Sequence, residues 1–184
     1  MSTNRPRSSA RERLLDAAEK AVCEHGVHEL TLEAVAAAAG VTKGGLIYHF
    51  KTKEDLLGAL VERMMAKLRE KYSARMAASD QTTRGVLVAL VDDTFETSAQ
   101  DKAVLSSLLA AISSYPHLLA PVRDLFDDVY ARVGKGRGNS GGALAIAAAL
   151  DGMTLLELLD LHHFTKPQRI AMQRALHAMA EGLS

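Results

Sequence analysis

The sequence predicts an all-α protein, and three observations predict it. Apolar residues recur at spacings of three and four along most of the chain. The apolar content, 48% of 184 residues, is mainly Ala, Leu, Val and Met, while aromatics reach only 4% and Trp is absent. Ala and Leu are among the strongest helix formers. Most of the predicted helices also open on a Ser or Thr suited to capping, and no segment alternates with the period of two that a strand requires. About nine helices are expected. The length suits one large domain, or a small domain joined to a medium one.

Taken in order, the first dozen residues are polar and read as a loose arm. Ser9 caps the first helix, with Glu12 three positions on completing a capping box. Leu14, Ala17, Ala18, Ala21 and Val22 form its apolar face, and Gly26 supplies a stop. Thr31 caps a second, short helix with Glu33 in its first turn, where a carboxylate favours the positive end of the helix dipole. Gly40 ends that helix, and Thr42 caps a third, Lys43 to Phe50, after a tight turn. Thr52 caps a long fourth helix, with Asp55 in the reciprocal position. Further helices are expected at Thr83–Thr97, Asp101–Tyr115, Ala120–Val133, Ser140–Leu161 and Lys166–Gly182. Pro116 and Pro121 punctuate one junction, Gly134 to Gly142 marks a loop, and Thr165 with Pro167 starts the last helix.

Formal net charge is zero, which argues against a protein that coats nucleic acid. The distribution is less even. Residues 1–53 carry eight Lys/Arg against six Asp/Glu, with Arg5, Arg7, Arg11 and Arg13 clustered at the start. Between Val41 and Lys53 there are three lysines and no acid. Local basic patches of this kind matter more for docking on phosphate than the global balance. The lone cysteine, Cys23, excludes an intramolecular disulfide and reads as a buried thiol. No signal-peptide core is visible at the N-terminus. The longest uninterrupted apolar run, Ala143 to Leu150, is too short to span a bilayer. No membrane association is expected, and the cytoplasm is the expected compartment.

Two short helices joined by a Gly-containing turn have the form of a helix-turn-helix, whose second helix enters the DNA major groove. Projected at 100° per residue, Leu46, Ile47 and Phe50 share the face expected to pack on the first two helices. Gly44, Gly45, Tyr48 and His49 lie off it, and Lys43 sits at the tip. Two glycines in a helix of two turns are costly, at about 1 kcal/mol each relative to Ala in a helix interior. Neither lies on the apolar face, so close approach to a DNA groove is the expected reason for both.

The run from Ala39 to Leu57, AGVTKGGLIYHFKTKEDLL, resembles the signature of the TetR family of bacterial regulators. Thr31 to Ala36, TLEAVA, resembles the segment that opens the second helix in that family. The resemblance covers roughly Arg11 to Leu60; beyond it the likeness is one of architecture. It implies a helix-turn-helix DNA-binding domain with a basic arm at 1–52 and a ligand-binding and dimerisation domain at 53–184. It also implies that Thr31 and Thr42 touch phosphate, that Lys43 and Gly44 approach bases, that Tyr48 and His49 contact the backbone, and that Lys53 anchors a phosphate. Arg5 and Arg7 join them as arm residues. Ile47 departs from the pattern, since Tyr is frequent there, so one hydroxyl contact is absent.

The function that follows is a ligand-responsive transcriptional regulator, a homodimeric repressor released from a palindromic double-stranded operator by a small, mostly apolar effector. Neither a cofactor nor an enzymatic activity is expected. No nucleophile motif or phosphate-binding Gly loop is visible, and the adjacent His162 and His163 point about 100° apart on a helix, so they do not form a bidentate metal pair. Asp92-Asp93 and Asp127-Asp128 read as solvated helix faces. An effector pocket is expected among Met64, Leu68, Phe95, Leu108, Ile112, Tyr115, Phe126, Tyr130 and His162, with no charge placed to receive an ionic ligand. A dimer interface is expected from Leu144, Ala147, Ala148, Leu155, Leu158 and Leu159 on one helix and Ile170, Leu176 and Ala180 on the last. Two other readings stay open: a ligand-independent DNA-binding protein, and a small-molecule carrier or enzyme on the same scaffold.

Overall fold

In the computed structural model, residues 9–78, 82–112, 115–135 and 140–183 are described, without the side chains of 76, 78 and 110–112. Nine α-helices and one 3-10 turn account for most of them, and no strand occurs among the described residues. The helices are α1 (Ala10–Glu29), α2 (Leu32–Ala38), α3 (Lys43–His49), α4 (Lys53–Ala78), α5 (Thr83–Glu96), α6 (Ala99–Ile112), α7 (Ala120–Gly134), α8 (Ser140–Leu158) and α9 (Lys166–Glu181); the 3-10 turn is Pro116–Leu119.

The caps named from the sequence act as predicted: Ser9, Thr31, Thr42 and Thr165 each accept a hydrogen bond from a backbone N–H in the first turn of the helix that follows. Thr82, which the sequence reading did not name, does the same for α5. Thr52 and Asp55 form a reciprocal pair at the start of α4, each accepting at 3.0 Å from the other's N–H, and Thr165 with Gln168 forms a full capping box. Glu12 differs from expectation: its carboxylate is engaged by Arg11 and Arg63. Gly26 (φ 78°) kinks the end of α1, and Gly40 (φ 62°) turns the chain after α2; both lie in the left-handed region that favours glycine. α6 starts at Ala99, two residues before the expected Asp101, because Ser98 accepts from the Asp101 N–H. α8 stops at Leu158 rather than Leu161, where Asp160 adopts φ 56°.

The chain divides into two compact units. The first comprises residues 1–64 and 103–119, so it extends past the expected boundary at 52. The reason is packing: Leu56, Leu57 and Leu60 on α4 are buried at 0–2% exposure, as are Leu14, Leu15 and Val22 on α1. Arg63 ties α4 to α1 through Asp16 at 2.7 Å and through Glu19. Gly58 leaves room for Leu118 of the 3-10 turn, whose Cδ2 would lie 3.6 Å from an added Cβ. Ser107 on α6 donates to the Val22 carbonyl on α1. Cys23 is half-buried rather than buried.

The second unit comprises residues 65–102 and 120–184. Its core joins Val86, Leu87 and Val91 of α5, Val133 of α7, Ala143, Ile146, Ala147 and Leu150 of α8, and Leu176 and Ala180 of α9. Glu157, near the end of α8, receives Lys102 at 2.5 Å and also Arg169. α8 is a helix long and apolar enough, by length and composition, to cross a membrane. Its apolar residues divide between this core and an exposed stripe on the same helix.

Candidate functional site

In the first unit α2 and α3 present a helix-turn-helix. Leu46 and Phe50 pack inward at 1% and 3% exposure, with Val35 and Ala36 of α2 beneath them. Ile47 does not join them, being 42% exposed. A two-turn helix with two deeply buried anchors leaves the third apolar side chain, next to Leu46, on the rim of that face. An exposed Ile beside Tyr48 presents an apolar surface where a Tyr would present a hydroxyl.

Tyr48 is the most exposed of the large side chains here, at 83%, with its ring edge-to-face on His49 at 5.1 Å. Thr31 and Thr42 are exposed, and their oxygens accept from the Ala34 and Gly45 N–H groups. Each hydroxyl keeps its own hydrogen to donate to a phosphate. Lys43 stands exposed at the tip, but its ammonium lies 2.9 Å from Glu33 on α2. Hydrogen bonding from Lys43 holds the Glu33 carboxyl below its usual range. Lys53 donates to the His28 carbonyl at 3.1 Å. Arg11 sits over the Phe50 ring at 5.7 Å, and Arg13 donates to the Ala39 carbonyl. The predicted Arg5 and Arg7 lie outside the described residues.

The two glycines of α3 have different causes, which corrects the expectation that groove approach explains both. A Cβ at Gly45 would come within 2.9 Å of Val41 Cγ1 and 3.2 Å of Thr42 Oγ1, so a side chain there would force the neighbours in the tight turn to shift. A Cβ at Gly44 would meet nothing within 4 Å.

A cavity of about 150 Å³ opens in the second unit. Its walls come from Leu68 and Tyr72 of α4, Leu90, Asp93 and Thr94 of α5, Phe126 and Val129 of α7, and Leu150 and Asp151 of α8, among others. Of the residues predicted to hold an effector, Leu68 and Phe126 line it. Tyr130 is joined to it through the wall residue Asp151, to which it donates at 2.6 Å; burial first, and that hydrogen bond second, push its hydroxyl up to about 12. The others lie elsewhere. Met64 and Leu108 are buried in the first unit, and Tyr115 belongs to that unit with its ring against His117. Phe95 packs on the second unit's core under Arg169, and His162 is exposed against Phe164. The side chain of Ile112 lies outside the described residues. Helical period alone did not separate these shared apolar faces.

Sequence reasoning missed Tyr72, Asp93 and Asp151 as wall residues. Asp92 and Asp93 are not a solvated face: Asp93 pairs with Lys71 and Arg75, and Asp92 with Arg75 and His177. Asp127 and Asp128 are exposed.

The predicted interface residues divide. Ala147, Leu158, Leu176 and Ala180 are at most 9% exposed, and Leu144 packs against the unit's own core. Such side chains have little surface to give a partner. Ala148, Leu155, Leu159 and Ile170 are exposed, together with Leu156 and Met179.

Comparison with known proteins agrees with this geometry. Residues 14–60 match the model described as bacterial regulatory proteins, tetR family, and residues 84–181 match a tetracyclin repressor-like C-terminal domain. The chain is 31% identical over 173 residues to the HTH-type transcriptional regulator BetI of Serratia proteamaculans (strain 568), covering 88% of this chain and 87% of that one. It is 26% identical over 179 residues to BetI of Escherichia coli O17:K52:H18, covering 91% of each. Among solved structures, a TetR-family member from Streptomyces coelicolor A3 superposes with TM-score 0.70 at 26% identity, over 93% of this chain and 98% of that one. The multidrug binding protein EbrR complexed with malachite green superposes with TM-score 0.71 at 26% identity, over 95% and 98%. With both of its halves matched and its helix-turn-helix in place, the chain belongs to the TetR family of bacterial transcriptional regulators.

Proposed function

We propose that the chain is a homodimeric repressor that docks α3 in the major groove of a palindromic operator and leaves it when a small molecule fills the cavity of the second unit. The observation that carries this reading is one polypeptide holding both parts: an exposed helix-turn-helix with Lys43 and Tyr48 outward, and a separate apolar cavity. The EbrR complexes with ethidium and with malachite green support small-molecule binding on this scaffold. The BetI relatives support a regulatory role in a bacterial cytoplasm. A two-fold dimer would place its recognition helices about 34–36 Å apart, one turn of DNA. The exposed apolar residues of α8 and α9 are the surface we assign to dimerisation. In this scheme 53–184 acts as ligand-binding and dimerisation domain, although its first turns pack with the reading head. Release needs the effector to bind the DNA-free arrangement more tightly than the DNA-bound one, since only differential affinity shifts the equilibrium.

The test is selection of bound DNA from a random pool, followed by a triple alanine variant at Lys43, Tyr48 and Lys53. A folded variant should lose at least tenfold in affinity and show a shallower salt dependence, because phosphate contacts are removed. Binding as tight as the parent's would refute the docking assignment.

A further inference from the structure

Resting on the reading of the cavity as the effector site, we propose that its ligand is a small lipophilic organic cation, with Asp151 as the counter-charge. The sequence suggested a neutral ligand because no charge was visibly placed to meet one; the folded chain puts two carboxylates in the cavity wall.

The two acids differ. Asp93 is already neutralised, with Lys71 at 3.2 Å and Arg75 at 2.6 Å. Among the described residues Asp151 has no cation beside it, and its one hydrogen-bond partner is the Tyr130 hydroxyl, a neutral donor. Burial accordingly pushes the Asp151 carboxyl above its usual range, and the Tyr130 hydrogen bond offsets only part of that. A desolvated carboxylate without a counter-ion is costly, and a cation entering the cavity removes that cost.

The rest of the wall suits the same guest. Leu68, Leu90, Val129 and Leu150 provide apolar cover, and Tyr72 and Phe126 add aromatic rings, a class of side chain that stabilises cations. Among the described residues the buried Tyr72 hydroxyl has no hydrogen-bond partner, so a polar group of a bound molecule, or a water carried with it, would satisfy it. The volume is of the order that accommodates a benzene-sized molecule. It fits a compact guest built on a single ring better than an extended chain.

Phenyltrimethylammonium and tert-butylbenzene separate charge from shape, since they differ by a cationic nitrogen in place of a carbon. Binding of each to the full chain is measured by calorimetry and thermal shift, on the parent and on Asp151→Asn. The amide oxygen of Asn still accepts from Tyr130, so the variant loses the charge and keeps the tie. The parent should bind the cation at least tenfold more tightly than its neutral isostere, and Asp151→Asn should abolish that preference while still binding tert-butylbenzene. A parent that prefers the neutral compound, or a folded Asp151→Asn that keeps the cation preference, overturns the assignment of charge but leaves the cavity as an effector site. Failure of both compounds to bind the folded parent overturns the effector-site reading itself, and this assignment with it.

Discussion

The ammonium of Lys43, at the tip of the recognition helix, lies 2.9 Å from the carboxylate of Glu33 on the helix before it. Both side chains are well exposed, so the pair contributes little to stability. Its consequence falls on DNA binding. On the proposed docking of α3, Lys43 exchanges Glu33 for a phosphate or base, and Glu33 brings a negative charge towards the duplex. Glu33→Gln is therefore expected to tighten DNA binding several-fold at low salt, with the gain shrinking as salt screens the charges. A filter-binding or anisotropy titration across ionic strengths checks this; unchanged affinity at low salt would mean that Glu33 does not compete.

The neighbouring glycines should separate in a paired experiment. Gly44→Ala meets open space and should raise stability by up to about 1 kcal/mol, as Ala does in helices. If α3 approaches the groove closely there, the same change should weaken DNA binding at least tenfold. Gly45→Ala crowds Val41 and should cost about 1–2 kcal/mol, as overpacking does. Val41→Ala should recover part of that cost, because the two residues share one contact. Thermal melts and DNA titrations on the four variants decide between intramolecular and intermolecular causes.

Apolar residues on α8, just after its end and on α9 make a second contrast. Leu155, Leu159 and Ile170 are 44%, 52% and 48% exposed. Replacing Leu155 and Leu159 with Glu should shift light scattering from dimer to monomer at micromolar concentration and reduce operator affinity, with little change in subunit stability. Leu176, at 9% exposure, should behave oppositely: Leu176→Ala should cost about 2–4 kcal/mol by leaving a cavity. A monomeric parent, or a dimer insensitive to the Leu155 and Leu159 changes, would move the interface elsewhere.

Glu157 links Lys102 and Arg169. Burial raises its carboxyl, but the two cations more than offset that, so its value lies below the ordinary 4.5. A carboxylate depressed in the folded state stabilises the fold above its unfolded value and loses that contribution as pH falls through the folded one. Glu157→Gln should therefore cost about 2 kcal/mol near neutral pH. The difference from the parent should shrink as pH drops below about 4.5. Urea melts at pH 7 and at pH 3–4 measure it; a constant difference would show that the loss is one of packing.

The sequence by itself determined what is local. Caps at Ser9, Thr31, Thr42, Thr52 and Thr165 set helix starts, because a side-chain oxygen satisfying a first-turn N–H is a matter of three residues' spacing. Gly40 and Thr42 defined the turn of the helix-turn-helix for the same reason. Only the tertiary structure decided which neighbour covers each face. α8 is apolar on more than one side, so its period did not show that Ala147 turns inward while Ala148 and Leu155 face out. It could not show that Glu33, ten residues before Lys43, neutralises a run that reads as acid-free. Nor could it place Asp151 in a cavity with Tyr72, because α4 and α8 meet only when the chain is folded. Periodicity encodes that a helix has an apolar face; its partners, and the charges stranded between them, depend on how helices distant in sequence pack.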